Sequence, residues 1–459
     1  SGNALLSFFG KLSYNYDQKY VATATLRRDG SSRFGPENRW GTFYAGSLGW
    51  RIDKENFLVN NEWIDRLYLR AGYGRIGNQE ISDYPSIAKL GTSYYYPFGV
   101  VESGYAVNQL GNTRVKWESS DQFNAGVDVE VLNGSLAFSV DYFNKVTSDL
   151  LVSQPIASSS GTASPAIINN GKVLNRGIEI SITHRKTIND FTYSVTGNVG
   201  TLHNEVLEVN PVIQGGAIGQ TNITLIEKGY PIGSFYLYEM EGIFQNATDV
   251  ITHANQGSNI KPGDVKYKDQ DGNGIIDGKD RVHAGSPIPD FTAALNITLN
   301  YKNWDLSVFF QGAYGQEIFS VLNRDIEGFY RPFNVTQRYY DNHWTGEGTT
   351  NKYPRASWDA SGNNTQYSTR FLENGSYTRL KNLQLGYAFS KGLLDRYGFS
   401  GVRVYVSGTN LLTFTKYSGM DPEMTVSDNA LGQGERAAGM DWGTYPSARS
   451  YNVGINLTF

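Results

Sequence analysis

The sequence ends with Arg449-Ser-Tyr-Asn-Val-Gly-Ile-Asn-Leu-Thr-Phe459, a stretch in which apolar and polar side chains alternate. The apolar side chains occupy every second position: Tyr451, Val453, Ile455, Leu457 and Phe459. A period of two places the two sets on opposite faces of one β-strand. Taken alone, this segment fits both a half-buried strand of a soluble β-sandwich and a strand that spans a membrane.

The composition of the chain helps to distinguish a soluble protein from a membrane-spanning one. The chain has 459 residues, no cysteine, a formal net charge of -4 and 31 tyrosines. The nearly balanced charge provides no excess of basic residues for binding nucleic acid. The lack of cysteine fits a protein that crosses an oxidising periplasm without needing disulfides. No apolar run approaches the roughly 18 residues of a spanning helix, whereas a spanning β-strand needs only about 9–11 alternating residues. The sequence has no initiator methionine and no signal peptide, which predicts that residue 1 is not the start of the gene product.

Alternating segments recur along the whole chain and predict about thirteen strands. Sustained helical periodicity is absent from the sequence. The predicted strands lie near 5–15, 20–29, 40–51, 65–76, 122–132, 136–146, 176–187, 191–202, 291–301, 304–314, 376–388, 402–410 and 449–459.

The connections between these strands alternate in length. Tight hairpins are predicted at 16–19, 133–135, 188–190 and 302–303, with 52–64 and 389–401 as medium members of the same set. Between them lie the long links 77–121, 147–175, 203–290, 315–375 and 411–448. Soluble sandwiches have no reason to sort loops in this way, whereas outer-membrane barrels have short periplasmic turns and long extracellular loops. The fold class is therefore predicted to be all-β, a transmembrane antiparallel β-barrel.

The terminal strand then sets the direction of the chain. An aromatic residue that ends such a strand resembles the signal by which the barrel assembly machinery recognises outer-membrane barrels for insertion. With Phe459 at the periplasmic rim, counting back predicts that 77–121, 203–290, 315–375 and 411–448 are extracellular. Thirteen is an odd number, whereas bacterial barrels are even. Since a strand-like run also begins near residue 5, upstream strands are expected to be missing from the chain.

One link carries a motif with metal-binding chemistry. Residues 269–280 match a twelve-residue calcium loop, with a glycine at the sixth position and an apolar anchor at the eighth. The predicted ligands of a structural Ca²⁺ are Asp269, Asp271, Asn273, Ile275 (through its carbonyl), Asp277 and Asp280. The shorter Asp280 stands where such loops usually have Glu, and a plain Asp/Asn/Gly turn is the alternative.

Other motifs give no support to an enzyme. Residues 72–77 spell G-x-G-x-x-G, but they lie within and at the end of a strand with no helix after them, so a dinucleotide site is not expected. The five histidines are scattered without zinc spacing, and no G-x-S-x-G elbow occurs. Carboxylates two residues apart, such as Glu239 and Glu241, are what a polar strand face produces, so a glycosidase is not indicated. The chain is predicted not to be an enzyme.

Several segments resemble SusC/RagA-type TonB-dependent transporters, in the same order and over essentially the whole chain. They are residues 27–35 (RRDGSSRFG), 38–41 (NRWG), 77–81 (GNQEI), 116–118 (KWE), 263–269 (GDVKYKD), 380–387 (LKNLQLGY) and 410–417 (NLLTFTKY). The resemblance implies a barrel of about 22 strands with a plugged lumen and a SusD-like surface lipoprotein as its lid. The chain would be the C-terminal portion of that barrel, residues 1–459, without the plug and without the N-terminal segment that contacts the TonB complex.

The resemblance implies active import of large nutrients across the outer membrane of a Gram-negative bacterium. It favours oligosaccharide over oligopeptide cargo only because glycans are the commoner cargo of the family. The link 315–375 mixes charged and aromatic side chains, which predicts contacts with ligand or lid by Arg324, Asp325, Glu327, Tyr330, Arg331 and Trp344. Aromatic clusters at 94–96, 329–330 and 339–340 could stack on sugars or peptides, or pack loop against loop. A passive porin and a secreted β-rich adhesin stay open as alternatives.

Overall fold

The computed structural model describes residues 2–97, 101–153, 166–219, 221–329, 333–358, 361–390, 398–423 and 437–459. The chain divides into two compact units. The first comprises Ser1–Lys186, Ser194–Ile213 and Glu227–Gly229, and the second Thr187–Tyr193, Gln214–Ile226 and Tyr230–Phe459.

The strands of the first unit come in chain order. They are β1 Leu5–Tyr16, β2 Tyr20–Ser31, β3 Trp40–Arg51, β4 Ile64–Asn78, β5 Lys89–Pro97, β6 Val101–Gln109, β7 Glu118–Val131, β8 Leu136–Ser148, β9 Leu151–Ser153, β10 Ile167–Asn169, β11 Lys172–Ile188, β12 Phe191–Thr201 and β13 His203–Glu208. The main sheet has the order β1-β2-β3-β4-β7-β8-β11-β12, and β13 pairs with β11. Neighbouring strands from β1 to β11 run antiparallel. Among the described residues, the strands β5 and β6 pair with each other outside the main sheet.

Alternation gives this sheet two unlike faces. On β4, Leu69 and Tyr73 are exposed apolar side chains, whereas Arg70 pairs with Asp128 at 3.1 Å on the other face. Since successive side chains of a strand point to opposite sides, the middle of β4 presents apolar side chains on one face of the sheet and an ion pair on the other. The small core of the unit lies under its links, where Phe34, Phe43, Val115 and Trp117 are buried together.

The described residues of the second unit form the remaining strands and four short helices. The strands are β14 Ile213–Ile218, β15 Thr221–Ile226, β16 Ser234–Tyr238, β17 Met240–Ile243, β18 Val265–Tyr267, β19 Arg281–Gly285, β20 Phe291–Tyr301, β21 Trp304–Tyr314, β22 Glu317–Ser320, β23 Leu372–Asn374, β24 Tyr377–Ala388, β25 Gly401–Thr415, β26 Met440–Asp441 and β27 Ser450–Thr458. The helices are α1 Ala247–Thr252, α2 Val321–Glu327, α3 Gln337–Asn342 and α4 Ser361–Asn364.

The long strands of this unit are neighbours in the order β20-β21-β24-β25-β27, all antiparallel. The short strands and helices lie in the links between them. A buried cluster that includes Phe235, Leu237, Phe319 and Phe371 joins parts of these links into a packed body. The links are therefore folded rather than extended. No helix among the described residues is long and apolar enough to cross a membrane.

The thirteen long strands coincide with the thirteen predicted ones, with ends that differ by a few residues. The four tight hairpins also form where predicted, as the pairs Tyr16↔Tyr20, Val131↔Leu136 and Tyr301↔Trp304 illustrate. Asn133 and Lys302 adopt positive φ angles of 54° and 52°, as tight hairpin turns require. The alternation of link lengths is not strict, because residues 32–39 form a shorter link than 52–63 at the opposite end of the strands.

Candidate functional site

Three of the predicted extracellular links meet around one polar cavity in the second unit. The cavity has a volume of about 400 Å³, within the range of small-ligand pockets. The link 203–290 contributes Met240, Glu241 and Gly242. The link 411–448 contributes Lys416 and Ser418. The link 315–375 supplies the rest of the lining: Glu327, Arg338, Asn351, Lys352, Tyr353, Thr369, Arg370, Leu372 and Glu373.

Local structure fixes the charged side chains of the link 315–375. The Ser320 side chain caps α2 by accepting the Asn323 N–H, and Glu327 is the last residue of that helix. Thr336 caps α3 in the same way, and Arg338 follows in its first turn. Such caps replace the intrahelical partners that the first N–H groups lack, so these short helices hold their side chains in place.

Two carboxylates of the cavity, Glu327 and Glu373, each accept several hydrogen bonds. The Oε1 of Glu327 accepts hydrogen bonds from Thr336 Oγ1 and Arg338 Nε, both at 2.6 Å. Glu373 accepts from Asn323 Nδ2 at 2.8 Å and from the Ser418 hydroxyl at 2.7 Å. Glu327 is 4% exposed. A buried carboxylate is costly without such donors, so Glu327 belongs to the fixed frame of the cavity.

The cations of the cavity differ in their partners. Arg338 forms the ion pair with Glu327. Burial opposes the charged form of Arg338, but the hydrogen bond to Glu327 and the negative charges of Glu327 and Glu373 together raise its pKa. The Arg370 guanidinium donates to the backbone carbonyls of Asn364 at 2.8 Å and Glu327 at 3.0 Å. Burial lowers the pKa of Arg370 from its ordinary value, which still leaves arginine charged at any physiological pH.

An aromatic cluster adjoins the polar lining through Tyr353. The Tyr353 ring packs edge-on against Tyr339 with centroids 6.1 Å apart. Phe329 contacts both Tyr339 and Trp358 in the same manner, at 5.5 and 5.6 Å. Phe329 has a φ of 58°, a conformation that costs energy in a residue with a side chain and is held here by those ring contacts. Trp358 and Tyr340 leave more than half of their side-chain surface exposed.

The residues predicted to face ligand or lid are distributed over several environments. Glu327 lines the cavity. Arg324 and Asp325 lie on the same helix, and the buried Arg324 donates to the Thr365 carbonyl at 2.8 Å and stacks on Tyr367. Trp344 packs against the buried cluster of Ile243, Val265 and Tyr267.

Two further predicted residues, Tyr330 and Arg331, lie outside the described residues. The side chains of Tyr94 and Tyr96 are likewise outside the description. Ligand contact by the predicted set stays a prediction.

The sequence reasoning missed most of the charged lining. Arg338, Lys352, Arg370 and Glu373 occur singly in an irregular link, so no spacing marks them. Lys416 lies in the segment 410–417 that carries part of the family resemblance, but nothing in that segment points to a cavity. Only the tertiary meeting of three links brings these groups together, and no periodicity encodes that meeting.

The predicted calcium loop folds as a compact turn within the link 203–290. The two oxygens of Asp269 accept the N–H groups of Gly272 and Gly274, each at 2.8 Å. The hydrogen bond from Gly274 is the main reason that the pKa of Asp269 lies below its ordinary value. Gly272 and Gly274 have φ angles of 71° and 80°, which only glycine adopts without strain. Carboxylate oxygens of Asp269, Asp271 and Asp280 lie within 4.8 Å of one another.

The other predicted calcium ligands take part in bonds within the loop. Asp280 is fully buried and accepts the N–H groups of Gln270 at 2.8 Å and Asp277 at 2.7 Å. Asn273 donates its amide to Asp271 at 3.0 Å. Ile275 lies beside Asn255 in an isolated bridge. The donor set is the all-oxygen set that Ca²⁺ prefers, and one acidic cluster alone does not establish the ion.

The apolar face of the terminal strand is open. Tyr451, Val453, Ile455, Leu457 and Phe459 are all exposed, Phe459 to 85%. β27 pairs with β25 on one side. An exposed apolar strand face of this size needs a cover in water, as a membrane would supply. Its role as an insertion signal stays a prediction.

Comparison with known proteins finds a matching family model and similar relatives. The family model "TonB dependent receptor-like, beta-barrel" matches residues 2–411. TonB-dependent receptor P3 of Formosa agariphila is 36% identical over 462 residues, which cover 99% of this chain and 45% of that protein. TonB-dependent receptor SusC of Bacteroides thetaiotaomicron is 31% identical over 479 residues, covering 100% of this chain and 44% of SusC.

A solved structure gives a matching fold. The structure of the RagAB peptide transporter superposes with a TM-score of 0.82 at 27% identity, covering 100% of this chain and 48% of the matched chain. The chain thus spans about half the length of the curated relatives it matches.

Proposed function

The chain belongs to the TonB-dependent receptor β-barrel family, and from that membership we propose that it is the wall and outer chamber of a nutrient importer. The transporter is of the SusC/RagA type in the outer membrane, and its cargo is a large nutrient, an oligosaccharide or an oligopeptide. The relatives are receptors and transporters rather than enzymes, in agreement with the predicted lack of an enzymatic activity.

One observation carries the proposal beyond family membership. Three links that the strand parity assigns to the extracellular side fold together around the polar cavity of Glu327, Glu373 and Arg338. Loops that only had to shield a pore would not need a charged cavity with a buried carboxylate, Glu327, in its lining, since a buried charge costs free energy unless it is paired. A chamber that holds polar cargo before its passage explains that cost.

The complete importer includes partners that the proposal names by their role. A SusD-like surface lipoprotein covers the mouth of the barrel as a lid, and the RagAB complex among the relatives supports this arrangement. An N-terminal plug and barrel segment of the same transporter fills the lumen and contacts the TonB complex. The terminal strand β27 serves the barrel assembly machinery during insertion.

We further propose that the loop 269–280 binds a structural Ca²⁺. The ion would relieve the repulsion between Asp269, Asp271 and Asp280, whose oxygens converge. The ligands proposed with them are Asn273, Asp277 and the Ile275 carbonyl. Its role would be to brace the link 203–290, which supplies one wall of the cavity, and it takes no part in catalysis.

Mass spectrometry of the intact complex tests the partner assignments. Outer membranes are extracted in mild detergent without heating, and the full-length protein is isolated through an affinity tag. We expect a surface lipoprotein to accompany the protein, and a plug-bearing segment to be found in the same polypeptide or bound to it. A chain that runs alone as a closed, heat-modifiable barrel would instead favour a passive porin.

A further inference from the structure

The charged groups that line the polar cavity are unequally engaged by the protein itself. Glu327 and Glu373 each accept at least two of the hydrogen bonds described above. The third carboxylate, Glu241, has its Oε2 3.4 Å from the imidazole Nε2 of His253. The acceptor oxygens of the cavity are therefore largely in use.

The cations show the opposite pattern. Among the residues that the structure describes, no carboxylate lies within ion-pair distance of Lys352, Lys416 or Arg370. Arg370 donates only to backbone carbonyls, which neutralise no charge. Lys352 and Lys416 lie on two different links, 315–375 and 411–448, yet both line the same cavity.

This imbalance has a physical consequence for binding. The lining holds four cations, Arg338, Lys352, Arg370 and Lys416, against three carboxylates, Glu241, Glu327 and Glu373, so one excess positive charge favours a positive potential. Lys352 and Lys416 are exposed, and no carboxylate among the described residues takes up their N–H donors. A group that brings negative charge and acceptor oxygens complements both, and hydrogen bonds between ionised groups are the stronger kind. A neutral group would leave the positive potential without a counterpart.

We propose that the cavity binds a carboxylate group of the cargo, which pairs with Lys352 and Lys416 beside the fixed charge of Arg370. The proposal rests on the proposed function, since it assigns a chemical class to the cargo of that same chamber. Carboxylates occur in uronic-acid oligosaccharides and in acidic peptides, and the same cations would recognise either source.

Titration calorimetry on the full-length receptor, purified with its lipoprotein in mild detergent, tests the proposal. The probes are tetragalacturonate and its methyl ester, and a glutamate-rich octapeptide and its glutamine counterpart. Within each pair the backbone is the same, and the carboxylates are replaced by neutral methyl esters or amides. The variants are Lys352→Gln, Lys416→Gln and the double variant. Lys261→Gln is the matched control, because Lys261 is an exposed lysine of the link 203–290 that does not line the cavity.

We expect at least one acidic probe to bind, and its neutral counterpart to bind about tenfold more weakly or worse. The double variant should lose about tenfold of the affinity for that probe, whereas Lys261→Gln should keep it. The acidic probe that binds identifies the source of the carboxylate.

Three results would overturn the proposal: no binding of either acidic probe, equal binding of a neutral counterpart, or unchanged affinity in the double variant. In each case the lipoprotein would still copurify, so the importer assignment would stand. Loss of the lipoprotein from the wild-type preparation would count against the importer instead.

Discussion

At the scale of single residues, Glu317 stands out as a carboxylate that the fold does not satisfy. Its Oε2 is buried and has no hydrogen-bond partner among the described residues, and the carboxylate lies directly against Gly285. Burial raises the pKa of Glu317 above its ordinary value. Because its pKa is raised in the folded state, the protonated Glu317 carboxyl contributes fully to stability at a pH below its unfolded pKa of about 4.3. This contribution is lost as the pH rises through the pKa of the folded state.

A substitution at Glu317 should therefore stabilise its surroundings. Glu317→Gln is expected to slow amide exchange in β22 several-fold at pH 7, because the neutral amide avoids the cost of a buried charge. The difference from wild type should shrink towards pH 4. Hydrogen–deuterium exchange of the full-length protein, compared at equal pH, measures this.

Glu373→Gln is the matched control, since Glu373 accepts bonds from Asn323 and Ser418. That variant should exchange faster than wild type. Faster exchange in Glu317→Gln at neutral pH would contradict the assignment of Glu317 as an uncompensated charge.

At the scale of elements, a buried ion pair ties the link 411–448 to β24. Arg379 pairs with Asp421, and both side chains are buried. Asp421 also accepts the N–H groups of Glu423 and Ser447, each at 2.9 Å. One carboxylate thus joins the two described ends of this link to a strand of the sheet.

Removal of the cation should release this link. Arg379→Met leaves Asp421 buried without its partner, which costs about 3–5 kcal/mol in comparable pairs. Limited proteolysis of the full-length protein in native membranes should show faster cleavage within 411–448.

Lys381→Met serves as the control, because Lys381 pairs with Glu423, whose carboxylate is less buried than that of Asp421 and keeps its pair with Arg379 in that variant. Equal protease resistance of the two variants would show that the ion pair does not hold the link.

The calcium loop is tested at the same scale. Asp271 is the informative position, since it is exposed and accepts hydrogen bonds only from Asn273, so its loss should not unfold the loop. Asp280 is unsuitable because its carboxylate organises the turn.

We expect Asp271→Ala to lower the protease resistance of 203–290 in calcium to the level seen with a chelator. Asp341→Ala, an exposed aspartate of α3, should keep the resistance of wild type. If a chelator changes nothing in the wild type, the loop is a metal-free turn.

The elements differ in how far the sequence predicts them. All thirteen long strands could be predicted, because alternation is written into each strand, as in 449–459. The helices α2 and α3 could not, since seven and six residues are too few for a helical period to stand out. Phe34 and Trp117, which lie in segments that carry the family resemblance, pack together in the core of the first unit. The cavity could not be predicted, because its charged groups come from three links that only tertiary packing brings together.

At the scale of the whole molecule, family membership and fold describe part of the β-barrel of a TonB-dependent receptor. We propose that this barrel belongs to an energised importer rather than to a passive pore. The two differ in what drives cargo inward, because a passive pore only equilibrates its solute whereas a coupled transporter accumulates it.

Uptake of labelled cargo by intact cells tests this claim most directly. Cargo that copurifies with the full-length protein is released by denaturation, identified, labelled and returned to cells, with and without a protonophore that collapses the inner-membrane gradient. We expect the cells to accumulate the cargo, and this accumulation to stop with the protonophore and in cells without the lipoprotein partner. Uptake that continues unchanged under both conditions would contradict an energised importer and assign the chain to a passive pore.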